Sequence, residues 1–98
     1  MTGVEGGQPD ERDPIDDIAA AVLAVPGVSD LHAGMFGEVA TYLPGRRVSG
    51  IRLQPDLTEV HLTIAFGSPV RETADAVRRA VAEQVGTPVH VTVEDVVP

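Results

Sequence analysis

Apolar and polar positions run through this chain with two periods. Ile15, Ile18, Ala19, Val22 and Leu23 recur at helical spacing after Asp13-Pro14. That pair suits a helix start, since Asp can cap exposed amides and Pro has the φ of a first helical residue. Pro26-Gly27 ends the helix. A second helical stripe, Val70, Ala74, Val77, Val81 and Val85, follows Gly67-Ser68-Pro69, with Ser68 as the expected cap. Gly86 is its expected C-terminal cap, and Pro88 forbids continuation. On the outer face of this helix, Asp75 and Arg79, then Arg79 and Glu83, stand four residues apart. Each such pair contributes a few tenths of a kcal/mol.

Elsewhere the period is two. Residues 28–32 and 38–43 read as short strands, 48–54 as a longer one, and 59–66 as the clearest, with Val60, Leu62, Ile64 and Phe66 alternating with His61, Thr63 and Ala65. Residues 89–95 alternate Val89, Val91, Val93 with His90, Thr92, Glu94. Pro44-Gly45 marks a turn, and residues 55–58 a four-residue hairpin loop. With that loop, Gln54 faces Glu59, Leu53 faces Val60, Arg52 faces His61 and Ile51 faces Leu62, so the apolar residues share one face. Strand, helix, strand from residue 59 onward is a crossover between parallel strands. The predicted fold is α+β, a two-layer sandwich with a mixed β-sheet and two helices on one face, in α-β-β-β-α-β order.

Length is consistent with this. At 98 residues the chain makes one domain, of a size that buries about two-thirds of its unfolded surface, so association with another chain would add stability. Residues 1–12 are Gly-rich and charged and read as a disordered head, leaving 13–98 as the folded unit. The net charge is −8, and five of those charges fall within residues 1–17. An acidic domain repels phosphate backbones and anionic lipid, so neither nucleic acid nor direct membrane insertion is expected. The N-terminus does not read as a signal peptide, and the longest apolar run, 18–25, is too short to span a bilayer. The expected location is the cytoplasm.

The chain has no cysteine, which excludes disulfides, thiolate metal sites and a Cys nucleophile. Ser29, Ser49 and Ser68 lie in turns or at a cap, and G-x-S-x-G, Walker and G-x-G-x-x-G motifs are missing. Glu94 and Asp95 are adjacent on a strand and point to opposite faces, so they form no acid pair. No catalytic residue and no cofactor is expected. Gly34-Met35-Phe36-Gly37 has the spacing of the KH nucleic-acid loop but no basic residue inside it, so it reads as a plain turn.

What remains is the sheet face away from the helices. It is predicted to show Arg52, His61, Thr63, His90 and Thr92, with Glu94 as its only carboxylate. No third layer is left to cover it. Two histidines and one acid make a weak metal site. A solvated surface or a protein contact fits better, and this face is the candidate interaction surface. On such a face, Thr63→Asp should cost within about 1 kcal/mol.

The order of segments resembles the alkaline shock protein family. Val25-Pro26-Gly27-Val28 is similar to its turn after the first helix. Val48-Ser49-Gly50-Ile51-Arg52-Leu53 resembles its G-V-x-V strand. Glu59 through Gly67 looks like its V-x-I-x-V-x-Y-G strand, with Phe66 where Tyr is usual. Residues 70–85 and 89–96 are similar to its closing helix and strand. The likeness covers about residues 14–97 and suggests a short, actinobacterial-like member. It implies a non-enzymatic protein of the Gram-positive envelope stress response. Such a protein self-associates as a homo-oligomer and reaches the membrane through a separate anchor protein. Two alternatives are a ferredoxin-like carrier domain, whose metal loop needs the cysteines missing here, and a KH-like module, opposed by the charge.

Overall fold

The computed structural model describes residues 13–98; the head expected at 1–12 lies outside them. Helix α1 spans Pro14–Leu23. At its start the Asp16 carboxylate accepts the Asp13 backbone N–H at 3.1 Å, so the acid reaches back to a free amide at the positive end of the helix. The same Asp16 receives a two-pronged contact from Arg46, at 2.9 and 2.7 Å, which ties the start of the helix to a strand thirty residues on. That hydrogen bond, more than the nearby charges, holds the Arg46 guanidinium above its ordinary pKa. Ile15, Ile18 and Val22 are buried, while Leu23, expected on the stripe, is exposed.

The order helix, strands, helix, strand is the order found. Five strand segments lie between the helices: β1 Val28–Leu31, β2 Ala40–Leu43, β3 Arg46–Ser49, β4 Ile51–Gln54 and β5 Leu57–Ala65. Helix α2, Val70–Ala82, and strand β6, Val89–Val97, complete the chain. Strand β5 is central. Strand β6 pairs with it in parallel along nearly its whole length, as the crossover predicts. Its other edge is shared end to end: β4 pairs with Leu57 to Val60, and β1 with Leu62 to Ile64, both antiparallel. His61 is the junction. Its N–H donates to the Gly50 carbonyl at 2.8 Å, and its carbonyl accepts the His32 N–H at 2.9 Å.

Two sequence expectations fail here for identifiable reasons. The strand expected over 48–54 breaks at Gly50, whose φ of +89° turns the chain. Residues before the break pair with β2 across the Pro44-Gly45 turn, and residues after it pair with β5. Second, the hairpin loop is Pro55-Asp56 alone, since Gln54 pairs with Leu57. The register therefore slips by two from the one expected, and Arg52 faces Glu59 while Ile51 faces Val60. A slip of two keeps every side chain on its predicted face.

Ten aliphatic residues form the core: Ile15, Ile18 and Val22 from α1, Val77 and Val81 from α2, and Ile51, Val60, Leu62, Ile64 and Val89 from the sheet. Both helices thus cover one face, as expected. On α2, Val77 and Val81 are buried and Val85 packs against the core as expected, while at the start of the stripe Thr73 is buried and Val70 is exposed. Pro69, not Ser68, occupies the cap position, and the helix stops at Glu83 before reaching Gly86. Asp75 takes Arg78 at 3.1 Å as its ion-pair partner instead of Arg79.

Candidate functional site

Alternation along β5 sends Glu59, His61 and Thr63 to the face opposite the helices. Strand β4 adds Arg52 and β6 adds His90 and Thr92. In the parallel register His90 stands beside Glu59, and Thr92 beside His61. After Leu62–Val93 the register slips, because Thr63 pairs with Asp95 and leaves Glu94 as an extra residue. A bulge of this kind re-aims a side chain, and Glu94 turns to His61, with Oε2 at 2.6 Å from Nδ1.

The result is a linked polar row. Arg52 contacts Glu59 at 3.4 Å, Glu59 lies 3.5 Å from His61 Nε2, and His61 contacts Glu94. The His61 and Glu94 side chains are 14% and 16% exposed. Thr63 is 8% exposed, and its hydroxyl donates to the Asp30 carbonyl at 3.4 Å. This corrects the picture of an open face. Of the five expected surface residues, Thr63 is buried, His61 is enclosed between carboxylates, and Arg52 is half-buried against Glu59. His90 and Thr92 are exposed. A second correction concerns Glu59: it is a further carboxylate on this face, and counting by twos from His61 finds it in the sequence. The reach of Glu94 to His61 depends on the bulge, which no sequence pattern announces.

Chemically the row is closed on itself. Each ring nitrogen of His61 faces a carboxylate, so neither is directed at a hydroxyl it could activate. Among the described residues, no three His, Cys, Asp or Glu side chains are arranged to hold a metal ion. The row acts as a staple joining β4, β5 and β6. Glu94→Ala leaves Nδ1 of a largely buried imidazole without its partner and should destabilise the fold by about 1–2 kcal/mol in urea unfolding. Glu94→Gln keeps an acceptor and should cost less.

Beside the row, the segment between β1 and β2 forms a built turn. The Gly37 N–H donates to the Gly34 carbonyl at 3.2 Å, and His32 Nδ1 accepts the Gly34 N–H at 2.9 Å. The Glu38 carboxylate accepts the Phe36 N–H at 3.1 Å. Its own backbone amide, foremost, then the Phe36 amide and the His61 and Arg52 charges hold the Glu38 carboxyl below its ordinary pKa. The turn presents Met35 and Phe36 to solvent, 80% and 89% exposed. Tyr42 on β2 and Phe66 after β5 are 70% and 80% exposed. All three aromatic residues of the chain are therefore outside the core, a feature that alternation alone did not suggest for Phe66.

A shallow groove of 340 Å³ lies between the end of α1 and the start of α2, lined by Val25, Pro26, Ser68, Pro69, Glu72 and Thr73 among others. It is largely apolar, and Glu72 is its only titratable side chain. Among the described residues, no helix is long and apolar enough to cross a membrane. No family model, curated protein or solved structure matches this chain.

Proposed function

We propose that this chain is a non-enzymatic protein-interaction module that works by docking to another protein and by self-assembly. The observation that carries the reading is the division between core and surface. Ten aliphatic side chains make the core, while Phe36, Tyr42, Phe66 and Met35 all face solvent. Aromatic residues and Met are enriched where proteins meet, because they bring large contact area with few torsions to freeze. Placed outside a core that closes without them, they have an outward use. The exposed members of the polar face, His90, Thr92 and part of Arg52, extend that surface.

The resemblance to the alkaline shock family supports the same reading. It would assign the chain to the envelope stress response of a Gram-positive cell, in the cytoplasm, with a membrane anchor protein as partner. The acidic charge agrees with a protein partner over a nucleic acid or a bare lipid surface.

Photo-crosslinking side chains placed singly at Phe36, Tyr42 and Phe66 in the cell of origin test the reading. A defined protein adduct should form at one or more of them, and none at the exposed helix position Arg71. No adduct at any of the three, or equal labelling at Arg71, would overturn it.

A further inference from the structure

The polar face and the aromatics leave one feature unused, the outer edge of β6. This strand is nine residues long, and among the described residues it pairs with β5 alone. Thr58 donates to the Pro88 carbonyl at 2.9 Å. Bonds of a parallel ladder recur at every second residue, so His90 and Thr92 turn their amides and carbonyls toward β5. Val89, Val91 and Val93 turn theirs outward.

The outward row begins at Val89, since Pro88 turns its carbonyl to Thr58 of β5 and its missing N–H lies on that inner side. At the other end the register slips at Glu94, and the Asp95 carboxylate takes the Val96 N–H at 2.8 Å. Bulges and charges are devices by which natural edges are kept from pairing. Here they close the row beyond Val93 and leave residues 89–93 open.

We infer that the open stretch Val89-His90-Val91-Thr92-Val93 is a self-pairing edge, on which a second copy of this chain docks antiparallel about a two-fold axis at Val91. This rests on the reading of the chain as an assembling protein and names its partner. The valines of the stretch are placed symmetrically about Val91, with His90 and Thr92 as the two positions that differ. Valine meets valine at three positions, and His90 meets Thr92 of the other copy. An isologous contact needs such self-complementarity. The outward amides and carbonyls match as well: Val91 exchanges both bonds with its counterpart, and Val89 exchanges both with Val93. No acid stands opposite another acid, which matters for a chain of net charge −8. Val91 and Val93 are partly buried against the core, and the docked copy would cover their remaining surface. An unrelated extended peptide would use the same bonds but would have no need of the symmetry.

Sedimentation velocity and residue-resolved amide exchange on the full chain test this. The mass should double as concentration rises toward about 1 mM. Over the same range the Val89, Val91 and Val93 amides should slow by about tenfold or more, while His90 and Thr92, bonded within the monomer, should not change. Val91→Pro removes an outward N–H, which an edge strand tolerates. It should hold the chain monomeric with an unchanged circular dichroism spectrum. If that variant fails to unfold yet still dimerises, the proposal falls; if it does not fold, the exchange pattern of the wild type decides. A wild type that stays monomeric overturns the proposal, as does a dimer whose Val91 amide is indifferent to concentration. Photo-adducts at the aromatics with a monomeric wild type would keep the functional reading and remove this one. A β6-paired dimer without adducts would do the reverse.

Discussion

Leu62→Asp is expected to leave the chain unfolded under native conditions, seen as loss of the circular dichroism of both helix and sheet. Leu62 is fully buried among the ten core residues, on the central strand and beneath both helices. Removing its side chain from a packed core costs about 2–5 kcal/mol, and an unpaired carboxylate in the same place costs several more. A domain of this size has only about 5–10 kcal/mol in hand. The neighbouring change separates the two faces of β5. Thr63→Asp, which the alternation pattern alone rates as mild, should cost about 1–3 kcal/mol, because Thr63 is buried and its register partners are Asp30 and Asp95. Urea unfolding compares them: if Thr63→Asp is neutral, the far face is open after all, and if Leu62→Asp stays folded, the core is wrongly placed.

Gly50→Ala should be the most damaging small substitution, at about 3–5 kcal/mol. Glycine to alanine often stabilises a protein by restricting the unfolded chain, so the expected sign is itself a test. A Cβ at Gly50 would lie 2.8 Å from Leu31 Cβ, 2.9 Å from the His61 carbonyl and 3.0 Å from the His32 nitrogen. Two of these are backbone atoms joined in the hydrogen bond that seats β1 on β5. The left-handed φ adds about 1–2 kcal/mol for any residue with a Cβ. Gly45→Ala is the control, because its φ of +79° is similar and no atom lies within 4 Å. It should show the conformational cost alone. Equal effects at the two positions would mean that the junction of β1, β4 and β5 is not crowded as described.

That junction marks where sequence reading stops. The segment over 48–54 alternates as one strand would, and nothing local distinguishes a straight strand with a glycine from two strands with a corner at Gly50. The corner exists because β5 has room on one edge for both β4 and β1, and His61 bridges them. The candidate site was legible to the same depth. Arg52, His61, Thr63, His90 and Thr92 share a face by alternation, and the structure keeps them there. Whether each is open to solvent depends on neighbours distant in sequence: Asp30 over Thr63, and Glu94 over His61.

The sequence by itself determined the helices, the parallel crossover, most of the aliphatic core and the faces of the strand residues up to the bulge at Glu94, because periods of 3.6 and two are local and a buried face tolerates no error of one. Beyond the bulge Asp95 lies beside Thr63, whereas alternation predicts it on the face opposite Glu94. Only the tertiary structure decided the hairpin register, the break at Gly50, the bulge that brings Glu94 to His61 and the exposure of every aromatic. A register slip of two preserves each face, so the apolar pattern is blind to it, and exposure is set by which distant segment lies alongside. That choice belongs to the packed chain as a whole.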